Sequence, residues 1–145
     1  MRQIKFRAKD TFKSRFFPQR WLYGTPVQDG DDMWMCVKKE DKGIVSVKVD
    51  PSTLGQFTGL TDCNGNEIYE GDIIISPLNN VVIVKFGYKE HRLRHHGVED
   101  SFAAYGWIAE NIQNGITDFL DNEILQGKVI GNIHDNPELF NEKRV

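Results

Sequence analysis

The chain has 145 residues, 39% of them hydrophobic and 27% charged, with a net charge of −3. That balance belongs to globular domains and excludes disorder as the global state. The length suits one domain, or one small domain with an appendage. No apolar run approaches the roughly 18–20 residues of a bilayer crossing, and the start MRQIKFRAKD is charged where a signal peptide is apolar, so a mature cytoplasmic chain is expected.

Charge is spread unevenly. Residues 1–20 hold seven basic side chains (Arg2, Lys5, Arg7, Lys9, Lys13, Arg15, Arg20) against the single Asp10, whereas the remainder holds eleven basic and twenty acidic ones. A basic segment of this kind either pairs with the acidic body or faces an anionic partner.

Within the segment Arg2–Lys9, basic odd positions alternate with apolar even ones from Ile4 onward, the period of a strand with one buried face. Ile4, Phe6 and Ala8 are expected inside, with Lys5, Arg7 and Lys9 in an outward row. Asp10–Ser14 reads as a turn. Phe16–Tyr23, aromatic-rich and broken by Pro18, reads as an edge strand, and Gly24–Asp32 as a loop. Met33–Val37 and Ile44–Val49 read as two further strands of a meander, joined by the polar turn Lys39–Gly43.

After Pro51, Asn64-Gly65 is a tight-turn signal, because Gly accepts positive φ and Asn tolerates it. Ile73–Ile75 and Val81–Phe86 are β-branched strands around a turn at 76–80. With the aromatic segment Ala104–Ile108 they suggest a small SH3-like barrel. Between them Tyr88–Ser101 is polar and long, and reads as an exposed loop. Thr117 or Asp118 would cap a helical turn over Phe119–Leu125, and Lys128–Ile133 returns to strand. Asn136-Pro137 marks the start of a short C-terminal helix, with Asn as the cap and Pro where a missing N–H costs nothing. The expected fold is thus mainly β: an N-terminal antiparallel meander packed on an SH3-like barrel, with a division near residues 52 and 53.

Chemical motifs are sparse. His91 and His95 would share a helical face four residues apart, with Glu99 as a third ligand, but Arg92 and Arg94 stand between them, so a solvated loop outweighs a metal site. Asp62–Asn66 copies the start of a calcium loop, yet Glu67 stands where Gly is needed and Ile73 where a bidentate carboxylate is needed. Glu67, Glu70, Asp72, Asp118, Asp121 and Glu123 have no spacing that aims two of them at one cleft. His134-Asp135 lacks a nucleophile in a strand-to-helix elbow. Cys36 and Cys63 are expected as free thiols. No catalytic residue and no cofactor are assigned. For binding, the row Lys5, Arg7, Lys9 with Phe16, Phe17, Trp21 and Tyr23 is the candidate surface, for a protein or for single-stranded nucleic acid.

Three blocks of sequence resemble the YopX family: Ile4–Ala8, the centre from Gln56 to Ile73, and Val129–Leu139. The resemblance implies a small, mostly β protein encoded by phages and prophages, cytoplasmic in the host, thought to self-associate, with no established activity to carry over. Gly55, Phe57, Gly59, Leu60, Asp62, Gly65, Ile68, Tyr69, Gly71, Asp72, Gly131, Asn132, Asn136 and Pro137 are the family-like positions. Their chemistry, turn glycines with apolar contacts and cap asparagines, is that of a folding framework. Departures at Lys9, His134 and the longer 88–101 segment fall on surface and loop. The expectation is a non-enzymatic phage accessory protein acting on a protein partner or as a homo-oligomer. Nucleic-acid binding is the alternative, and a metal-dependent hydrolase the least favoured.

Overall fold

The computed structural model describes residues 3–141, without the side chains of His91, Leu93 and Asn141. Arg2, part of the expected first strand, lies outside them. The protein is mainly β, with two antiparallel sheets and a short C-terminal helix, and the chain divides into two units at Gly59/Leu60.

In the first unit β1 (Phe6–Lys9), β2 (Trp21–Asp29), β3 (Asp32–Lys39) and β4 (Gly43–Val49) form the expected meander, and β5 (Gly55–Thr61) adds to the free side of β1. Alternation sorts the side chains. Ala8, Leu22, Met35 and Val49 are buried together on one face, where each large aliphatic side chain contributes roughly 1.5–3 kcal/mol. Ile4 was expected among them but is 70% exposed, since β1 meets β2 only from Phe6 onward. Gly24–Asp32 is not a loop: β2 runs through it to a two-residue turn at Gly30-Asp31. Pro26 falls beyond the stretch that β1 covers, on an open edge where a missing N–H is tolerated. The strand expected from Phe16 begins only at Trp21, because residues 15–17 bend.

The second unit holds β6 (Glu67–Tyr69), β7 (Asp72–Ile75), β8 (Val81–His95), β9 (Val98–Asn111), β10 (Thr117–Phe119), α1 (Asn122–Leu125), β11 (Lys128–Asn132) and α2 (Pro137–Asn141). Its five-stranded sheet has the order β10-β9-β8-β7-β11. The sheet is open, so the SH3-like barrel is not confirmed: the short strands β10 and β11 stay at opposite edges. Ile68, Ile74, Val82, Val84, Ala109 and Ile124 fill one side of it, and Ile73, Val81, Ile83 and Ile112 the other. Burial on both faces explains the near-continuous β-branched runs of β7 and β8.

The largest departure from expectation lies at 88–101. Instead of a loop, β8 and β9 pair without a break from Val82 opposite Asn111 to His95 opposite Val98. The two residues between them, His96 and Gly97, both have positive φ, at 50° and 81°. That is the type I′ turn, whose twist matches a hairpin, and glycine supplies its second position at no steric cost. Asp121 caps α1, its carboxylate accepting the Ile124 N–H at 3.0 Å, while the expected caps Thr117 and Asp118 belong to β10. The C-terminal helix starts at Pro137 as expected.

Candidate interaction surface

The first unit gathers most of the surface anticipated from sequence. Register places Arg7 opposite Tyr23 and Lys9 opposite Trp21, so the basic row of β1 and the aromatics of β2 share one face. The Arg7 guanidinium lies 4.6 Å from the Trp21 ring centroid and the Lys9 Nζ 5.4 Å from it, while the Lys5 Nζ sits 5.1 Å over Phe57. These are cation–π distances, and Arg7 is only 7% exposed. The row is therefore engaged by the chain's own rings. Phe16 and Phe17 stand apart on the 11–20 segment, and both are exposed. Asp10 ties that segment down: its carboxylate accepts the Phe12 N–H at 2.6 Å and pairs with Arg20 at 2.9 Å. Burial pushes the Asp10 carboxyl up, but the Phe12 N–H and the Arg20 hydrogen bond and charge outweigh it, and the net shift is downward.

The histidine constellation changes with the secondary structure. Register puts Glu99 opposite Arg94 and His95 opposite Val98, so Glu99 and His95 point to opposite faces of the hairpin. The side chain of His91 lies outside the described residues. Among the described residues no group of three His, Cys, Asp or Glu is placed to hold a metal ion, and both cysteines are free.

A second surface was not anticipated. β7 pairs with β8 only at 81–83 and β10 with β9 only at 108–110. Beyond those residues β8 and β9 continue as a two-stranded arm. On one face Phe86 meets Trp107 edge-on, with centroids 5.3 Å apart, and Tyr88 meets Tyr105 at 5.4 Å. Phe86 is 56%, Tyr88 52% and Tyr105 75% exposed. Further out the same face carries Glu90, Arg92, Arg94, Glu99 and Ser101, which with Asp100 line a cleft of about 300 Å³. On the other face Phe102 stacks on Phe119 of β10 at 5.7 Å and an interplanar angle of 9°. Phe119 pairs with Ile108, so in a straight strand the two rings would start about 20 Å apart. The arm must curve. Gly87 opposite Gly106 supplies a pair without side chains on the inner side of the curve.

The residues singled out as a framework are found in turns and core. Asp62 is buried, and its carboxylate accepts the N–H groups of Asn64, Asn66 and Val129 and the Asn66 amide. Burial raises the Asp62 carboxyl, yet these hydrogen bonds, that of Val129 foremost, leave it below its ordinary value. Gly65 takes φ 81° in the same turn. Leu60 and Ile68 pack into the sheet core, and buried Asp72 accepts the Tyr69 N–H at 2.7 Å. Gly71 donates to the Val84 carbonyl and accepts from Ile133. Asn132 Oδ1 accepts from His134 and Asp135, while the Asn136 side chain accepts the Asn132 N–H. Gly55 opposes Arg7, Phe57 is buried and Gly59 has φ 85°.

This arrangement offers contact chemistry: ring faces and edges that gain by burial, beside charged groups able to orient a partner. Sequence reasoning missed it, although the alternation Val82, Val84, Phe86, Tyr88 and the answering Tyr105, Trp107, Ala109 are symmetric about His96-Gly97.

A family model described as YopX protein matches residues 5–141 of the chain. No curated protein sequence matches it. Among the described residues no helix is long and apolar enough to cross a membrane.

Proposed function

The chain belongs to the YopX family, and from that premise we propose that it is a phage- or prophage-encoded accessory protein that works by binding protein, without catalysis of its own. One observation carries the reading: two consecutive aromatic pairs stand on one face of an arm that leaves the body of its sheet. Large exposed aromatic side chains held rigid by strand pairing are the anchors that dominate protein contacts. The exposed Phe16 and Phe17 offer a smaller second contact.

Single-stranded nucleic acid draws less support. Arg7 is buried, and Arg7 and Lys9 lie on the Trp21 ring, which leaves fewer cations for phosphates.

Photo-crosslinking tests the reading. With p-benzoylphenylalanine at position 88, irradiation should yield a covalent adduct to a protein, identified by mass spectrometry, and the same probe at exposed Leu78 should not. Equal yields at both positions, or none at 88, would remove the arm as the working surface.

A further inference from the structure

Resting on that reading of the arm, we infer that the free edge of β8 takes up an acidic, extended segment of another protein as an added antiparallel strand. The backbone carries the first part of the argument. In an antiparallel ladder residues alternate between bonding to the partner strand and facing away from it. Two facts fix the phase: the turn His96-Gly97 closes on the pair His95 and Val98, and the Val84 carbonyl accepts the Gly71 N–H. The even-numbered residues of β8 therefore turn their N–H and C=O groups away from β9. β7 and Gly71 before it lie against that edge only as far as Val84. Among the described residues no strand runs beside Phe86, Tyr88, Glu90 and Arg92. The opposite edge of the arm is better covered: the Trp107 carbonyl accepts the Leu120 N–H at 3.3 Å, and Phe102 stacks on Phe119.

Charge selects the occupant. Residues 86–95 hold Lys89, Arg92 and Arg94 against Glu90, whereas residues 98–107 hold Glu99 and Asp100 with no basic side chain. The β8 side of the arm is thus basic and the β9 side acidic. Among the described residues Lys89 and Arg94 make no ion pair, and Arg92 meets Glu90 only at 3.4 Å. Cations along an edge strand repel an edge of like charge, so the same edge of a second copy is turned away. An acidic strand is attracted on both faces, by Lys89 on one and by Arg92 and Arg94 on the other.

The outward backbone groups belong to the same residues that carry the exposed rings of Phe86 and Tyr88. A strand added here sets every second side chain beside a ring, while its backbone completes the ladder. The segment that fits alternates acidic with apolar residues.

The probe is an eight-residue peptide of alternating glutamate and valine, blocked at both ends and titrated into the full chain to about 1 mM. With peptide bound, hydrogen exchange of the Phe86, Tyr88, Glu90 and Arg92 amides, read by NMR, should slow by at least about tenfold. The Ala103 and Tyr105 amides, which face outward on β9, should stay as open as before. Lysine in place of glutamate should weaken binding by at least about tenfold. Peptides N-methylated on the valine amides or on the glutamate amides should differ by about the same factor, because only one set faces the ladder. In Lys89→Glu with Arg92→Glu the preference should turn to the lysine peptide, a gain that misfolding does not produce. Equal affinity of the two methylated peptides overturns the added strand, and indifference to charge overturns the acidic occupant. A chain that ignores every peptide but still crosslinks from position 88 to another protein overturns the inference while leaving the arm as a binding surface.

Discussion

The carboxylate of Asp62 accepts the backbone N–H of Val129 at 2.9 Å across 67 residues of sequence. It joins the turn after β5 to the start of β11, while its other oxygen holds Asn64 and Asn66. A residue that reads from sequence as part of a calcium-like string is thus a structural fastener, with both oxygens already committed to the protein's own donors. Replacing it with Ala leaves buried N–H groups unmatched and should cost about 3 kcal/mol, read as a lowered urea midpoint with unchanged slope.

The same carboxyl sets a pH dependence. Its folded-state value, like that of Asp10, lies below the ordinary 3.8. A depressed folded value means stability that is complete above the unfolded value and is lost as pH falls through the folded one. Stability should therefore be level from about pH 6 to 5 and fall below about pH 4. In Asp62→Asn the gap to the wild type should narrow as the pH drops. A gap that is constant between pH 6 and 3 would remove Asp62 from this account.

Gly131 admits no side chain. A Cβ there would lie 2.4 Å from the Asn136 Oδ1, which accepts the Asn132 N–H. Gly131→Ala must displace that amide from its partner and should cost about 2 kcal/mol, seen as a lower thermal midpoint.

The arm turn offers a stabilising change. His96 occupies the first position of a type I′ turn, where Asn is preferred. His96→Asn should slow hydrogen exchange of arm amides by a few fold, about 0.5 kcal/mol of local stability, without altering the rest of the protein. Unchanged or faster exchange would mean that the turn does not limit arm opening.

Two aromatics should separate structure from surface. Trp21 lies under Arg7 and Lys9, so Trp21→Ala should cost about 2–3 kcal/mol. Phe17 is exposed, and Phe17→Ala should leave the unfolding midpoint within experimental error.

Local chemistry was legible in the sequence where the signal sits in adjacent residues. Asn64-Gly65 turns and Asn136-Pro137 starts a helix because cap and turn preferences act over two to four positions. The meander followed from alternation in β1, β3 and β4. The arm was not legible because its turn is His96-Gly97, a pair with a weaker turn preference than Asn-Gly, and because its outer half alternates charge with charge. Barrel closure could not be read either, since it depends on whether distant edges meet, and β10 and β11 do not. The burial of Arg7 was hidden for a related reason: the strand period gives the face a side chain takes, but not what lies over that face.

The most direct test of the arm as a contact surface is hydroxyl-radical footprinting of the four tyrosines, in the cell and in dilute purified protein. Tyr69 is buried and Tyr23 is exposed, so each protein molecule carries its own controls. The account predicts that Tyr88 and Tyr105 label as readily as Tyr23 when dilute and become protected in the cell while Tyr23 does not. Labelling of Tyr88 and Tyr105 that stays equal to Tyr23 in both conditions would contradict it.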